Sequence, residues 1–171
     1  MERLIAMSDS HGRTDNLHAA IELALGRGKI DRFVFLGDGL RDLDEVKPML
    51  MKTNSAMCFF AVRGNNDMAV LSPGTEEFFF GKLKVMACHG HAYHVKFGQE
   101  RICYAARERG ASVLLYGHTH RSQLKEAYGV TMVNPGAICE RSAGRSAFAE
   151  MVMEKDGRFR AALIGWDGAA L

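Results

Sequence analysis

Short apolar segments alternate with helical patterns in the first part of the sequence, and this alternation restricts the folds open to the chain. The apolar runs at residues 4–7, 33–36 and 57–62 predict three strands. Apolar residues recur at helical spacing over residues 14–25 and again on both sides of Pro48, and this spacing predicts two helices. Pro48 predicts an interruption or a new turn within the second helix. A β-α-β-α-β order predicts parallel strands joined by right-handed crossovers.

The rest of the chain contains strand-like runs in pairs, which indicates antiparallel hairpins. Two such runs are separated in each case by a glycine-containing link: Gly81-Lys82, Gly129 or Asp156-Gly157. Glycine at such a position favours a tight turn. One helix is predicted over residues 97–109. The strand-like runs lie at residues 76–80, 83–88, 113–116, 124–128, 130–133, 147–154 and 158–164. We therefore expect an α/β fold with one mixed sheet or two stacked sheets, helices outside, and a single domain over residues 1–171.

The charge balance and the cysteines exclude several classes of protein. Lys and Arg number 22 against 20 Asp and Glu, and the net charge of +2 predicts no strong nucleic-acid binding. Apolar runs all fall well short of about 18 residues, so no membrane span is expected. The first residues lack the apolar core of a signal peptide, and the four cysteines form no C-x-x-C pair. Free thiols without an export signal predict a cytoplasmic protein.

Polar residues that bind metals follow five of the apolar runs. They are Asp9 and His11, Asp38, Asn65, His89, and finally His118 and His120. Because the carboxyl ends of strands form the usual ligand crevice of an α/β sheet, we expect these loops to converge. Each motif alone is more often a turn or a surface loop. Five of them in order, each after an apolar run, favour a functional site.

The donor types predict which ions such a site would take. Two carboxylates, one amide oxygen and four imidazoles make seven donors, which exceeds the usual coordination of a single transition ion. Seven donors fit two divalent ions about 3.5–4 Å apart that share a carboxylate. Oxygen and nitrogen donors without a thiolate suit Mn²⁺ first, with Ni²⁺, Fe or Zn²⁺ as alternatives.

The ordered set D-x-H, GD, GN-x-D, HGH and GHTH resembles the calcineurin-like metallophosphoesterase superfamily. With the late Asn134-Pro135-Gly136 and the short length, the chain looks most like the small YfcE-type phosphodiesterases of that superfamily. The resemblance implies a four-layer α/β/β/α sandwich with two mixed sheets and a dinuclear metal site. One ion would be held by Asp9, His11, Asp38 and His120, and the other by Asp38, Asn65, His89 and His118, with Asp38 bridging.

The resemblance also implies a reaction, hydrolysis of a small phosphodiester by a hydroxide that bridges the ions. Asn65, Asn66 and His91 would then stabilise charge on the phosphate, although a loop histidine without a role explains His91 nearly as well. Asp67 would orient a ligand without touching metal. Asn66 stands where the superfamily usually has His, and an amide is no general acid near neutral pH. Losing general acid help, worth roughly 10²–10⁴-fold, favours substrates with good leaving groups or slower turnover.

Three alternatives stay open at this point. The same fold can carry a phosphomonoesterase or a nuclease, and it can serve as a non-catalytic protein-binding scaffold like a retromer subunit of the superfamily. The scaffold is disfavoured because every ligand position is intact.

The run Phe78-Phe79-Phe80 must place at least one ring on the outer face of its strand, where a homo-oligomer contact or a covering helix would bury it.

Overall fold

The computed structural model describes residues 1–68 and 70–171 and contains ten strands and three α-helices in that part of the chain. The strands are β1 (Glu2–Met7), β2 (Arg32–Phe35), β3 (Cys58–Ala61), β4 (Thr75–Phe80), β5 (Leu83–Cys88), β6 (Val113–Tyr116), β7 (Gln123–Ala127), β8 (Val130–Asn134), β9 (Ser146–Met153) and β10 (Phe159–Gly165). The helices are α1 (Thr14–Gly26), α2 (Leu40–Thr53) and α3 (Glu100–Glu108), and His91–Tyr93 forms a single 3₁₀ turn.

The strands form two five-stranded sheets. The first has the order β10-β9-β1-β2-β3, in which β1, β2 and β3 are parallel and β9 and β10 are antiparallel. The second has the order β4-β5-β6-β8-β7, in which β5, β6 and β8 are parallel and the edge strands β4 and β7 run antiparallel to their neighbours. Both sheets are therefore mixed.

Alternation along the strands builds the layers. In β1, Ile5 and Met7 pack with the buried faces of α1 and α2, whereas Leu4 and Ala6 pack with Val85 and other residues of the second sheet. On its other side the second sheet packs against α3 through a separate apolar cluster. The order of layers is helix, sheet, sheet, helix, which confirms the predicted α/β/β/α sandwich.

Two local predictions are wrong. Pro48 lies inside the continuous helix α2 instead of interrupting it. An interior proline costs a helix about 3 kcal/mol, and the burial of Leu43, Val46 and Leu50 on one face offsets that cost. The helix predicted over residues 97–109 begins only at Glu100.

Two other expectations can be compared with the structure. In β4 the ring of Phe79 is exposed while those of Phe78 and Phe80 are buried, as alternation requires. Among the residues that the structure describes, no helix has the length and apolar character needed to cross a membrane.

Candidate metal centre

The predicted ligand loops meet where the carboxyl ends of β1, β2, β3, β5 and β6 come together. The backbone N–H of Asp9 donates to Gly37 O at 3.0 Å, and that of His11 donates to Asp38 O at 3.1 Å. Across the two sheets, the N–H of His118 donates to Asp9 Oδ2 at 3.0 Å. A Cβ atom at Gly64 would overlap the Asp38 carboxylate, so this close approach requires glycine.

Left-handed backbone is concentrated at the predicted ligands. A positive φ is uncommon for residues other than glycine and costs roughly 1–3 kcal/mol, and such residues cluster at functional sites. Seven residues other than glycine have positive φ in the described chain. Five of the seven are predicted metal ligands: Asp9 (58°), His11 (46°), Asp38 (58°), His118 (66°) and His120 (59°). The chain holds these five side chains in place at an energetic cost, which a functional site explains.

One cluster of donors consists of Asp9, His11 and His120. Asp9 Oδ1 lies 3.6 Å from His11 Nε2 and 3.3 Å from His120 Nε2, and the two nitrogens are 3.2 Å apart. A four-coordinate ion with bonds of about 2.0–2.1 Å separates neighbouring donors by about 3.3 Å. Asp9 Oδ1 is buried and accepts no hydrogen bond within the described residues, whereas Oδ2 accepts from Ser8 Oγ and His118 N. The geometry and the unpartnered oxygen fit a bound cation.

A second cluster consists of Asp38, His89 and His118. Asp38 Oδ2 lies 3.4 Å from His89 Nε2, which is 3.1 Å from His118 Nδ1. The same Asp38 oxygen is 3.7 Å from His11 Nε2 of the first cluster. Asp38 therefore faces both clusters, as a bridging ligand must. The exposed Asn65 lines a cavity together with Asp38 and His11.

Hydrogen bonds from the outer ring nitrogens orient two of the histidines. His89 Nδ1 is 2.6 Å from Leu36 O, and because a carbonyl only accepts, Nδ1 carries the hydrogen. His120 Nδ1 is 3.0 Å from Glu140 Oε1, and Arg145 contacts the other Glu140 oxygen at 3.2 Å. Each bond fixes the tautomer that directs an Nε2 lone pair at the carboxylates, the arrangement common among metal-ligating histidines.

Asp67 and Asn66 support Asp38 in different ways. The Asp67 carboxylate accepts hydrogen bonds from the backbone N–H groups of Asp38, Gly39, Leu40 and Gly64 at 2.7–3.0 Å, which locks the two loops together. Asn66 donates its N–H to Asp38 Oδ1 at 2.8 Å and its Nδ2 to Asp38 Oδ2 at 2.7 Å. The Asn66 amide thus holds the Asp38 carboxylate, whereas the sequence predicted that it would face a phosphate.

His91 and Cys139 also lie near these clusters. The His91 ring centroid is 5.3 Å from that of His89, and its buried Nδ1 has no hydrogen-bond partner in the described part of the chain. Cys139 Sγ lies within 4.8 Å of the ligand nitrogens of His11 and His120. Sequence reasoning missed Cys139 and Glu140, because only folding brings their loop beside the GHTH loop.

The carboxylates and histidines shift one another's pKa values. Burial opposes ionisation of Asp9, but contacts with His11, His120 and His89 outweigh it and hold the pKa of Asp9 well below its usual range. The same contacts with Asp9 raise the pKa values of His11 and His120. Burial also opposes ionisation of Asp38, and contacts with His89 and Asn66 lower its pKa to about 2.

The other histidines divide into two groups. Burial favours the neutral form of His89, but the Asp38 and Asp9 carboxylates outweigh it and raise the pKa. Burial and the nearby His89 lower the pKa of His118 to about 4. Burial, followed by the charge of His89, also lowers the pKa of His91.

These pKa values predict a pH dependence of metal affinity. In protein stripped of metal, the pKa values of His11, His89 and His120 are raised above the ordinary histidine value of 6.5. These imidazoles therefore still carry protons at pH values above 6.5, and an entering ion must displace those protons. We expect Mn²⁺ binding to release protons at neutral pH and its affinity to fall as the pH falls through those pKa values. Calorimetric titration in buffers of different ionisation enthalpy measures both quantities, and an affinity independent of pH between 5.5 and 8 would contradict the prediction.

In the stripped protein, the histidines and the aspartates give the stability of the fold opposite dependences on pH. A histidine with a raised pKa stabilises the fold below its unfolded pKa, and this stabilisation is lost as the pH rises through the folded value. The lowered pKa values of Asp9 and Asp38 give stabilisation that is present above about 3.8 and is lost in acid.

Solved structures show how widely this fold is shared. Those of Vps29 from several eukaryotes are 17–19% identical to this chain, with TM-scores of 0.66–0.70. YfcE, a phosphoesterase from E. coli, is 20% identical with a TM-score of 0.69 and covers 99% of this chain and 96% of its own. At this level of identity the similarity concerns the fold alone.

Relatives of higher identity and a family model narrow the assignment. A probable metallophosphoesterase, YsnB of Bacillus subtilis, is 27% identical over 154 residues, which is 90% of this chain and 85% of YsnB. The crystal structure of a predicted phosphoesterase from Streptococcus pneumoniae TIGR4 is also 27% identical, with a TM-score of 0.74 and coverage of 99% of this chain and 92% of its own. The model of the calcineurin-like phosphoesterase superfamily domain matches residues 2–156. This chain therefore belongs to the calcineurin-like phosphoesterase superfamily, as its loop motifs predicted.

Proposed function

We propose that this protein is a cytoplasmic phosphodiesterase that depends on two divalent transition-metal ions and acts on a small phosphodiester. One observation carries the proposal: two clusters of donors share Asp38, and the buried Asp9 Oδ1, which lies between two histidines, accepts no hydrogen bond in the described chain. The oxygen and nitrogen donors make Mn²⁺ the first ion to test.

The side chains present fit a metal pair. Asp9, His11 and His120 would hold one ion; His89, His118 and Asn65 would hold the other, with Asp38 between them. In such a site two divalent ions supply an activated water at neutral pH and neutralise charge on a transferring phosphoryl group. Asp9 and Asp38, whose lowered pKa values keep them ionised even in mild acid, would hold the ions through their negative charge.

The remaining residues bind and orient the substrate. Asn65 is exposed at the cavity and can donate its amide N–H to a phosphate oxygen, while Asn66 is engaged in holding Asp38. His91 has a lowered pKa, so it is neutral at pH 7 and can donate one hydrogen bond without adding charge. The exposed Arg63 lies close enough to His91 to contribute to that lowered pKa and can attract an anionic substrate.

The absence of a general acid at position 66 makes the quality of the leaving group the property that distinguishes suitable substrates. Position 66 supplies no proton near neutral pH, so the rate should depend on how well the leaving group departs unaided. An aryl diester with a good leaving group suits this site. The chain's net charge of +2 provides little attraction for a long phosphate backbone, which argues against a nuclease.

The test compares two aryl substrates in stripped and reconstituted protein. Hydrolysis of bis(p-nitrophenyl) phosphate and of p-nitrophenyl phosphate is measured with Mn²⁺, Ni²⁺, Zn²⁺ or EDTA. We expect the diester to be the faster substrate, with activity lost in EDTA and restored by metal. A faster monoester would support the monoesterase, and salt-sensitive cleavage of oligonucleotides would support the nuclease. Folded protein that binds metal but has no turnover would support the scaffold.

A further inference from the structure

Cys139 occupies a position in the metal centre that none of the five ligand loops supplies. It lies after β8, and its backbone N–H donates to Asp9 O at 3.0 Å, while the N–H of Ile138 donates to Ser8 O at 3.0 Å. These two bonds tie the 138–139 segment to the loop that carries Asp9 and His11. The next residue, Glu140, holds His120 through Nδ1.

The thiol lies beside the cluster of donors formed by Asp9, His11 and His120. Cys139 Sγ is within 4.8 Å of ligand nitrogens of His11 and His120. A nitrogen and a sulfur bound to the same Zn²⁺ ion lie about 3.5 Å apart, so a shift of at most about 1.3 Å brings the thiol into the coordination sphere. The buried, unpartnered Asp9 Oδ1 faces His11 and His120 from the same cluster and independently indicates a cation there.

The cysteines differ in their surroundings in a way that singles out Cys139. Cys88 and Cys103 are buried in the apolar cluster between α3 and the second sheet, where they pack as small hydrophobic residues. Cys58 is exposed on β3. Cys139 is partly exposed and has the imidazoles of His11 and His120 as neighbours.

We propose that Cys139 Sγ is a further protein ligand, in addition to the shared Asp38, of the ion at Asp9, His11 and His120, and that this position takes a thiophilic ion, zinc in preference to manganese. Binding forms a sulfur–metal bond and releases the thiol proton to solvent. A thiolate added to carboxylate and imidazole donors favours Zn²⁺ over Mn²⁺, because sulfur is a soft ligand and Mn²⁺ prefers oxygen. The cluster at Asp38, His89 and His118 has only oxygen and nitrogen donors among the described residues, so the two positions differ in metal preference.

This inference rests on the proposed metal centre but not on diester hydrolysis, and spectroscopy tests it without turnover. Stripped protein is titrated with Co²⁺ alone and with Cd²⁺ alone, since thiolate bound to either ion gives a charge-transfer band in the near ultraviolet. The variants are Cys139→Ser, which keeps the size of the side chain, and the matched control Cys58→Ser. Circular dichroism establishes that both are folded.

We expect the charge-transfer band in the wild type and in Cys58→Ser and its loss in Cys139→Ser. Zn²⁺ affinity in Cys139→Ser should fall by at least about 100-fold, more than the loss of a group that only orients a ligand, while Mn²⁺ affinity changes by less than about two-fold. Zn²⁺ should also protect Cys139, and not Cys58, from alkylation by iodoacetamide. Wild-type protein that binds two Co²⁺ ions without the band would overturn the role of Cys139 and leave the metal centre intact. Protein that binds no ion would overturn both.

Discussion

Asp38→Asn is expected to reduce the metal-dependent hydrolysis of an activated diester by at least about 100-fold. Asp38 Oδ2 faces His89 at 3.4 Å and His11 at 3.7 Å, so one substitution weakens both clusters of donors. A neutral amide also removes a negative charge that an ion pair needs. Even the loss of groups that merely orient ligands costs roughly 10–100-fold in metal affinity or activity, and loss of a shared ligand should exceed that.

The fold should survive this substitution because Asn is close to isosteric and its oxygen can still accept from Asn66 N. The measurement is kcat/KM with saturating Mn²⁺, together with the number of ions bound per chain. Asp44→Asn is the matched control, since Asp44 is an exposed carboxylate on α2. A rate near that of the wild type in Asp38→Asn would show that Asp38 is not a shared ligand.

Asp67→Ala is expected to lower the free energy of unfolding by about 3–5 kcal/mol. The carboxylate accepts four backbone hydrogen bonds, and the bonds from Asp38, Leu40 and Gly64 are buried. A buried N–H left without a partner costs about 1–3 kcal/mol. Three unpaired N–H groups at the upper value would cost about 9 kcal/mol. Structural relaxation and entering water recover part of that free energy, so the expected loss is smaller.

Thermal and urea unfolding of protein stripped of metal measure this loss, which corresponds to a fall in Tm of about 10 °C. Asp44→Ala removes a carboxylate from the same region and should change stability by less than about 0.5 kcal/mol. Asp67→Asn should lie between Asp67→Ala and the wild type because its carbonyl oxygen still accepts. A loss of under 1 kcal/mol in Asp67→Ala would mean that the four bonds do not hold the loops.

The sequence predicted the strands and the ligand loops, because both are marked by residues that are neighbours in the chain. Alternating apolar runs located the strands, and polar residues after five of them located the loops that the structure brings together. Glycine beside a candidate ligand was informative because Gly64 has no room for a side chain next to Asp38. Parallel strands place their carboxyl ends at one edge, so the meeting of the loops follows from topology.

The parts that could not be predicted depend on contacts between distant segments. Glu140 orients His120 and Cys139 lies beside His11 only because the segment after β8 bonds to the loop after β1. The sequence predicted an Asn66 amide directed at phosphate, but the turn at residues 64–67 brings it onto Asp38 instead. Pro48 was misread because a local rule for helix interruption competes with burial of the apolar face of α2.

The central claim is that two ions occupy one centre and share Asp38. Crystals of stripped protein reconstituted with Mn²⁺ test this directly through anomalous difference maps. We predict two peaks about 3.5–4 Å apart, one at Asp9, His11 and His120 and the other at His89 and His118, with Asp38 between them. A single peak, or peaks remote from Asp38, would contradict the account.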